Sequence, residues 1–154
     1  MSEKHKPYRI LVAAGGQKVD EAVMRLACRL ARDRGGDEAS GPAEVYAVHV
    51  IEVNRSLPLS APVETEVSEG EAVLDGLEQL ASEFEVSAQT ELVQARDTGP
   101  AILGEADEWG AMTIVMGLPY KRRFGEFNLG KTVPYVLKNA SCRVVLLREQ
   151  LETS

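Results

Sequence analysis

The sequence predicts an α/β protein in three layers, a five-stranded parallel sheet with helices on both faces. Three observations carry that expectation. Apolar strand-like runs and amphipathic helical stretches alternate along the chain in the order βαβαβαβαβ. Several of the runs have no polar side, as strands covered by helices on both faces require. The segments between successive strands are too long for hairpins and of a length that a helical crossover fills, and such crossovers are right-handed.

The first run, YRILVAA, is apolar on both sides through Ile10, Leu11, Val12, Ala13 and Ala14. Gly15 and Gly16 turn the chain into a helix over 20–32, where Ala22, Val23, Leu26, Ala27, Leu30 and Ala31 form one stripe and Gly35-Gly36 marks the stop. A polar loop, DEASGPA, leads to the second strand over 45–51, VYAVHVI. The stretch 54–63 carries Pro58 and Pro62 and reads as irregular. A helix over 66–84 follows, with Val73, Leu74, Leu77, Leu80, Ala81 and Phe84 inward and an acidic, solvated outer face. The third strand, 86–93, alternates Val86, Ala88, Thr90 and Leu92 with Ser87, Gln89 and Glu91, so it has a wet face or lies at an edge. Thr98-Gly99-Pro100 opens the third helix with Thr98 as N-cap, and Ile102, Leu103, Ala106 and Trp109 face the core. The fourth strand, 112–116, ends at Gly117, and a glycine-punctuated basic loop leads to a helix with Pro134 in its first turn and Val133, Val136 and Leu137 at helical spacing. The last strand is RVVLL, 143–147.

A single domain over 1–154 is expected, with a core at 7–149 and polar tails at 1–6 and 150–154. A domain of this size buries about 68–70% of the surface of its unfolded chain. The 44% apolar and 27% charged fractions are those of an ordinary globular protein, and the net charge of −7 argues against a nucleic-acid backbone or an anionic membrane as partner. No stretch is long and apolar enough for a signal peptide or a membrane span, so no direct membrane insertion is expected. Cys28 and Cys142 stand without a CxxC pattern or a neighbouring histidine. They read as free thiols, with no disulfide or metal framework, and a cytoplasmic location is the expectation.

Function concentrates in the stretch from Met112 to Asn139. A strand, a glycine-rich loop and a helix opening on Gly130-Lys131-Thr132 make an anion site, because unpaired amides and the helix dipole converge on one spot. Ligands of parallel sheets bind at the carboxyl ends of strands where the winding reverses. With the first and fourth strands as neighbours there, the loops at 13–18 and 117–131 share one crevice. GEFNLGKT, from Gly125 to Thr132, matches the P-loop pattern GxxxxGK[ST] at every position. That pattern works where a strand runs directly into its first glycine; here the strand ends at Met116 and Gly125 stands eight positions beyond Gly117. No strand ends in an aspartate suited to magnesium, so P-loop hydrolase chemistry is not expected.

The same loop resembles the nucleotide loop of the universal stress protein (UspA-like) family, G-x2-G-x9-G-[ST] after an apolar strand ending Met-Gly. Met116-Gly117 supplies the start and Gly130 the third glycine. YRILVAAGG is similar to the family's opening strand and turn, AVHVIEV to its second strand and NASCRVVLLRE to its closing segment, so the resemblance spans nearly the whole chain. It implies sheet order 3-2-1-4-5 in a Rossmann-like, adenine nucleotide alpha hydrolase-like fold. It also implies a regulatory stress-response domain that binds an adenine nucleotide, ATP or AMP, with magnesium accompanying the nucleotide. The implied nucleotide-binding residues are Ala13, Ala14 and Gly15 at the first turn, Met116 at the end of the fourth strand, the backbone at Val50 against adenine, and Gly117, Gly130 and Thr132 at the phosphates; Lys131 joins them on its charge. Three positions depart from the family pattern: Tyr120 stands at the second glycine, Lys131 at the [ST] position, and Gly15 where an acidic residue is usual. A left-handed Tyr120 would cost about 1–2 kcal/mol, comparable to the roughly 1.5–3 kcal/mol of a charged hydrogen bond from Lys131. Family members without the full motif act as interaction modules, some with membrane transporters, and a transporter-associated or regulatory module without nucleotide is the alternative.

Further expectations follow from the residues themselves. Val144, Val145, Leu146 and Leu147 leave the last strand apolar on both faces at a sheet edge, which predicts that the same strand of a second copy covers it in an isologous homodimer. Lys121-Arg122-Arg123 reads equally as a solvated loop or a phosphate contact, and Phe124 and Phe127 as anchors of that loop. His5 lies in the N-terminal tail, and His49, inside an apolar strand, reads as a hydrogen-bonded core residue. No nucleophile elbow and no carboxylate pair is fixed by spacing, so the chain is not expected to be an enzyme beyond slow ATP hydrolysis at most.

Overall fold

The computed structural model describes residues 7–35, 43–118, 121–123, 126–128 and 130–149. Their order is β1 (Arg9–Ala14), α1 (Val19–Gly35), β2 (Glu44–Glu52), α2 (Glu64–Glu83), β3 (Ser87–Ala95), α3 (Thr98–Trp109), β4 (Thr113–Gly117), β5 (Lys121–Arg123), β6 (Glu126–Asn128), α4 (Thr132–Asn139) and β7 (Arg143–Leu147). Five strands form a parallel sheet in the order β3-β2-β1-β4-β7, which is the expected 3-2-1-4-5 counted along the main sheet. The register sets Ala13 of β1 beside Val48 of β2 and Met116 of β4. His5, Gly36, Tyr120, Phe124, Gly125 and Leu129 lie outside the described residues.

The apolar strands sit where their composition demands. Along β1, Ile10, Val12 and Ala14 pack with Val23, Met24, Leu74 and Leu77 of α1 and α2. Leu11 and Ala13 face the other layer, with Ile102 and Leu103 of α3 and Val133 and Val136 of α4. A central strand needs apolar residues at both parities for this reason. The two outer strands differ: β3 exposes Ser87, Gln89 and Glu91 in strict alternation, whereas β7 is half-buried from Val144 to Leu147. Backbone geometry closes the helices. Val86 donates its N–H to the Ala81 carbonyl and Glu85 to that of Ser82, a Schellman closure of α2 with Glu85 left-handed at φ 57. Gly110 takes the left-handed position after α3 at φ 80.

The structure corrects three local expectations. The basic loop after β4 contains an antiparallel hairpin, with Arg122 opposite Phe127, because three-residue strands are too short to show an alternation in sequence. Leu137, expected inward, is 51% exposed, and α4 buries Val133 and Val136 alone. Thr98 is the first helical residue of α3 and not its N-cap; Asp97 holds that place in extended conformation and makes no cap of its own.

A candidate ligand crevice at the carboxyl ends of β1 and β4

β1 and β4 are neighbours from which the chain winds away in opposite directions, to β2 on one side and β7 on the other. Parallel sheets leave an open crevice at such a point. Here it is a cavity of about 220 Å³. Seven of the nine residues expected at a ligand line it: Ala13, Ala14 and Gly15 at the end of β1, Val50 on β2, Met116 and Gly117 at the end of β4, and Thr132 at the start of α4. Gly130 and Lys131 do not line it. Gln17 from the turn before α1, Val19 and Asp20 from the start of α1, Thr98 and Ile102 from α3 and Val133 from α4 complete the wall.

The glycines at this crevice have different physical reasons. A Cβ on Gly117 would stand 2.5 Å from Cγ1 of Val19 and 3.2 Å from Cγ2 of Val23, so close packing of α1 on the end of β4 excludes a side chain there. Gly16 and Gly130 are left-handed, at φ 80 and 71. Nothing lies within 4 Å of a Cβ built on Gly15, so this position has room for a side chain at the cavity wall.

Asp20 dominates the turn between β1 and α1. Its Oδ1 accepts the Gly15 N–H at 3.0 Å, and its Oδ2 accepts those of Gly16 at 2.7 Å and Gln17 at 3.2 Å. The side chain is buried, and loss of water raises its pKa above the ordinary aspartate value against the opposing pull of the three amides. Across β1, His49 donates Nδ1–H to the Ala14 carbonyl at 2.9 Å, the hydrogen-bonded role expected of it. At the far wall, the Glu52 carboxylate accepts the Thr98 N–H at 2.9 Å and the Thr98 hydroxyl at 2.7 Å. Lys131 Nζ stands 3.7 Å from Glu52 and 3.9 Å from Asp97, and Arg55 pairs with Asp97 at 3.2 Å. Lys131 therefore sits against two carboxylates at the rim, not on the cavity wall.

Asp20, Glu52 and Thr98 are the polar groups that reading the sequence missed as site residues. Asp20 left a usable signal: an aspartate three positions beyond Gln17 and following a Gly-Gly turn is placed to accept the turn's amides. Glu52 left none, because its partner lies 46 positions away. Among the described residues no group of three or more His, Cys, Asp or Glu is placed to hold a metal ion, and no helix is long and apolar enough to cross a membrane.

A doubly wound α/β protein with its crevice at the reversal of winding is the class that fold and site define. The model of the universal stress protein family matches residues 8–148, and the chain belongs to that family. A universal stress protein of Methanocaldococcus jannaschii is 26% identical over 147 residues, covering 92% of this chain and 82% of the relative. The universal stress protein of Archaeoglobus fulgidus, solved in complex with dAMP, superposes with a TM-score of 0.68 at 23% identity over 93% of this chain and 98% of its own. A family protein of Arabidopsis thaliana solved with AMP gives a TM-score of 0.65 at 16% identity, covering 94% of this chain and 93% of its own. At these identities the two structures share the fold.

Proposed function

We propose that this chain is a regulatory universal stress protein domain that binds an adenine nucleotide in the crevice between β1 and β4 and works in the cytoplasm as a homodimer through β7. The observation that carries the reading is the cavity at the reversal of winding, walled by strand ends and by the first residues of α4. The N-cap residue Lys131 makes no side-chain cap on α4, and a ligand anion beside Thr132 would meet the positive end of the helix dipole. At about 220 Å³ the cavity is below the roughly 300–1,000 Å³ of sites that enclose a ligand. It takes a base and leaves sugar and phosphate toward the rim. The relatives solved with dAMP and AMP support an adenine nucleotide as the ligand class. ATP, with magnesium on its phosphates, is the other ligand of this reading. The role in this reading is binding and not turnover, because Asp20, the carboxylate on the wall among the described residues, is already engaged by three amides.

Thermal melts with millimolar AMP, ADP and ATP test the reading. Ligand at 100 times its dissociation constant adds about 2.7 kcal/mol to stability, a rise of several degrees for a chain of this size. Absence of a shift with all three leaves the second reading, an interaction module that serves a transporter or regulatory partner without nucleotide. The pairing of Lys131 with Glu52 and Asp97 is what favours that alternative.

A further inference from the structure

Among the described residues, charge at the crevice runs against a polyphosphate. Asp20 is the charged member of the cavity wall, and it is a carboxylate. The amides of Gly15, Gly16 and Gln17, donors with which a turn at a strand end can hold a phosphate, are all taken by its two oxygens. The start of α3 repeats the arrangement, since the amide of Thr98, on the cavity wall, is held by Glu52. Among the described residues, Lys131 stands against Glu52 and Asp97, and Arg55 against Asp97. Backbone donors at both places, three amides at the β1 turn and one at the start of α3, are thus filled by the protein's own anions.

We propose that Asp20 and Glu52 make this crevice select nucleosides and nucleoside monophosphates over triphosphates. The inference rests on the nucleotide reading above. One phosphate has the start of α4; each further phosphate adds negative charge near two fixed carboxylates. Magnesium on the phosphates cancels part of that charge, so the discrimination is strongest in its absence.

Titration calorimetry of the full chain with adenosine, AMP, ADP and ATP, with and without magnesium, tests it. AMP is expected to bind at least about tenfold more tightly than ATP at low salt without magnesium, with magnesium and added salt each narrowing the gap. Glu52→Gln and Asp20→Asn are each expected to narrow the ratio severalfold by strengthening ATP. If Asp20→Asn does not fold, Glu52→Gln and the salt series on the unaltered chain still decide. ATP binding as tightly as AMP at low salt without magnesium overturns the selectivity and leaves the nucleotide reading standing. A gap that neither salt nor Glu52→Gln changes overturns the role of the carboxylates. No binding of any of the four overturns the nucleotide reading itself.

Discussion

The carboxylate of Glu52, the last residue of β2, accepts both the backbone N–H and the hydroxyl of Thr98, the first residue of α3, at 2.9 and 2.7 Å. The helix is capped by a residue from another element, and the same contact ties the crevice wall on α3 to the sheet. The Thr98 hydroxyl does most to hold the Glu52 carboxyl below the ordinary glutamate range; burial opposes it, and the Thr98 amide and Lys131 add to it.

This contact makes a pH prediction with a definite sign. A carboxyl depressed in the folded state stabilises fully above its unfolded value, and that contribution is lost as pH falls through the folded value. Thr98→Ala removes the largest cause, so the acid limb of unfolding should move to higher pH. At neutral pH the loss should be about 0.5–1 kcal/mol, below the roughly 1.5–3 kcal/mol of a hydrogen bond to a charged group, because the Glu52 side chain is 38% exposed and water screens it. Asp20 works the other way: its raised pKa gives a contribution present below the unfolded aspartate value and lost as pH rises through the folded one. Urea melts between acid and neutral pH measure both. An acid limb that Thr98→Ala leaves in place removes Glu52 as its source.

Gly117 and Gly15 lie at adjacent strand ends and should answer unequally to one methyl group. At Gly117 the new Cβ meets Val19, so Gly117→Ala should cost about 1–3 kcal/mol as overpacking. Gly15→Ala meets nothing and should stay within about 0.5 kcal/mol. Val19→Ala in the Gly117→Ala background should recover part of the loss, and a double-mutant cycle in chemical denaturation reads that coupling. Additive effects of the two substitutions would mean that Val19 is not what excludes the side chain.

Glu85 occupies the left-handed position of the Schellman closure after α2, where glycine has no Cβ penalty. Glu85→Gly should therefore stabilise the chain by about 0.5–1 kcal/mol, the relief of left-handed strain less the added freedom of the unfolded chain. Thermal unfolding of the pair of proteins measures it. A lower midpoint for the glycine variant would show that the Glu85 side chain contributes more than its backbone costs.

What could be read from the sequence divides along physical lines. β1, β2 and β7 were legible because a strand covered on both faces admits only apolar residues, and β3 because its exposed parity forces Ser87, Gln89 and Glu91 outward. The crevice wall was legible from strand ends, which placed Ala13, Gly15, Met116 and Gly117 together once β1 and β4 were neighbours. Contacts made across the fold were not: the Glu52 cap on Thr98 depends on β2 and α3 meeting, and nothing local to either residue announces it. Lys131 illustrates the same limit, since its charge suggested a phosphate and its position sets it against Glu52 and Asp97. Leu137 kept helical spacing with Val133, yet α4 is short enough that one exposed apolar side chain costs the fold little.

The open edge of β7 gives the last prediction. Leu118 donates its N–H to the Leu147 carbonyl at 2.9 Å, so Leu147 directs its backbone groups to β4. Alternation along a strand then directs those of Val145 the same way and those of Val144 and Leu146 to the outer edge. That edge is half-buried, apolar and paired by no described strand, the condition under which the same strand of a second copy is expected to add. Sedimentation at micromolar concentration should give twice the mass of the chain. Val144→Pro deletes one outward donor while sparing the bonds to β4 and nearly keeping the side-chain volume. In a two-fold dimer the loss counts twice, about 1–3 kcal/mol in all, so dissociation should strengthen by roughly 10–100-fold while circular dichroism stays that of a folded α/β protein. A chain of monomer mass at high micromolar concentration would sink the dimer, and a dimer indifferent to Val144→Pro would put its interface on another surface.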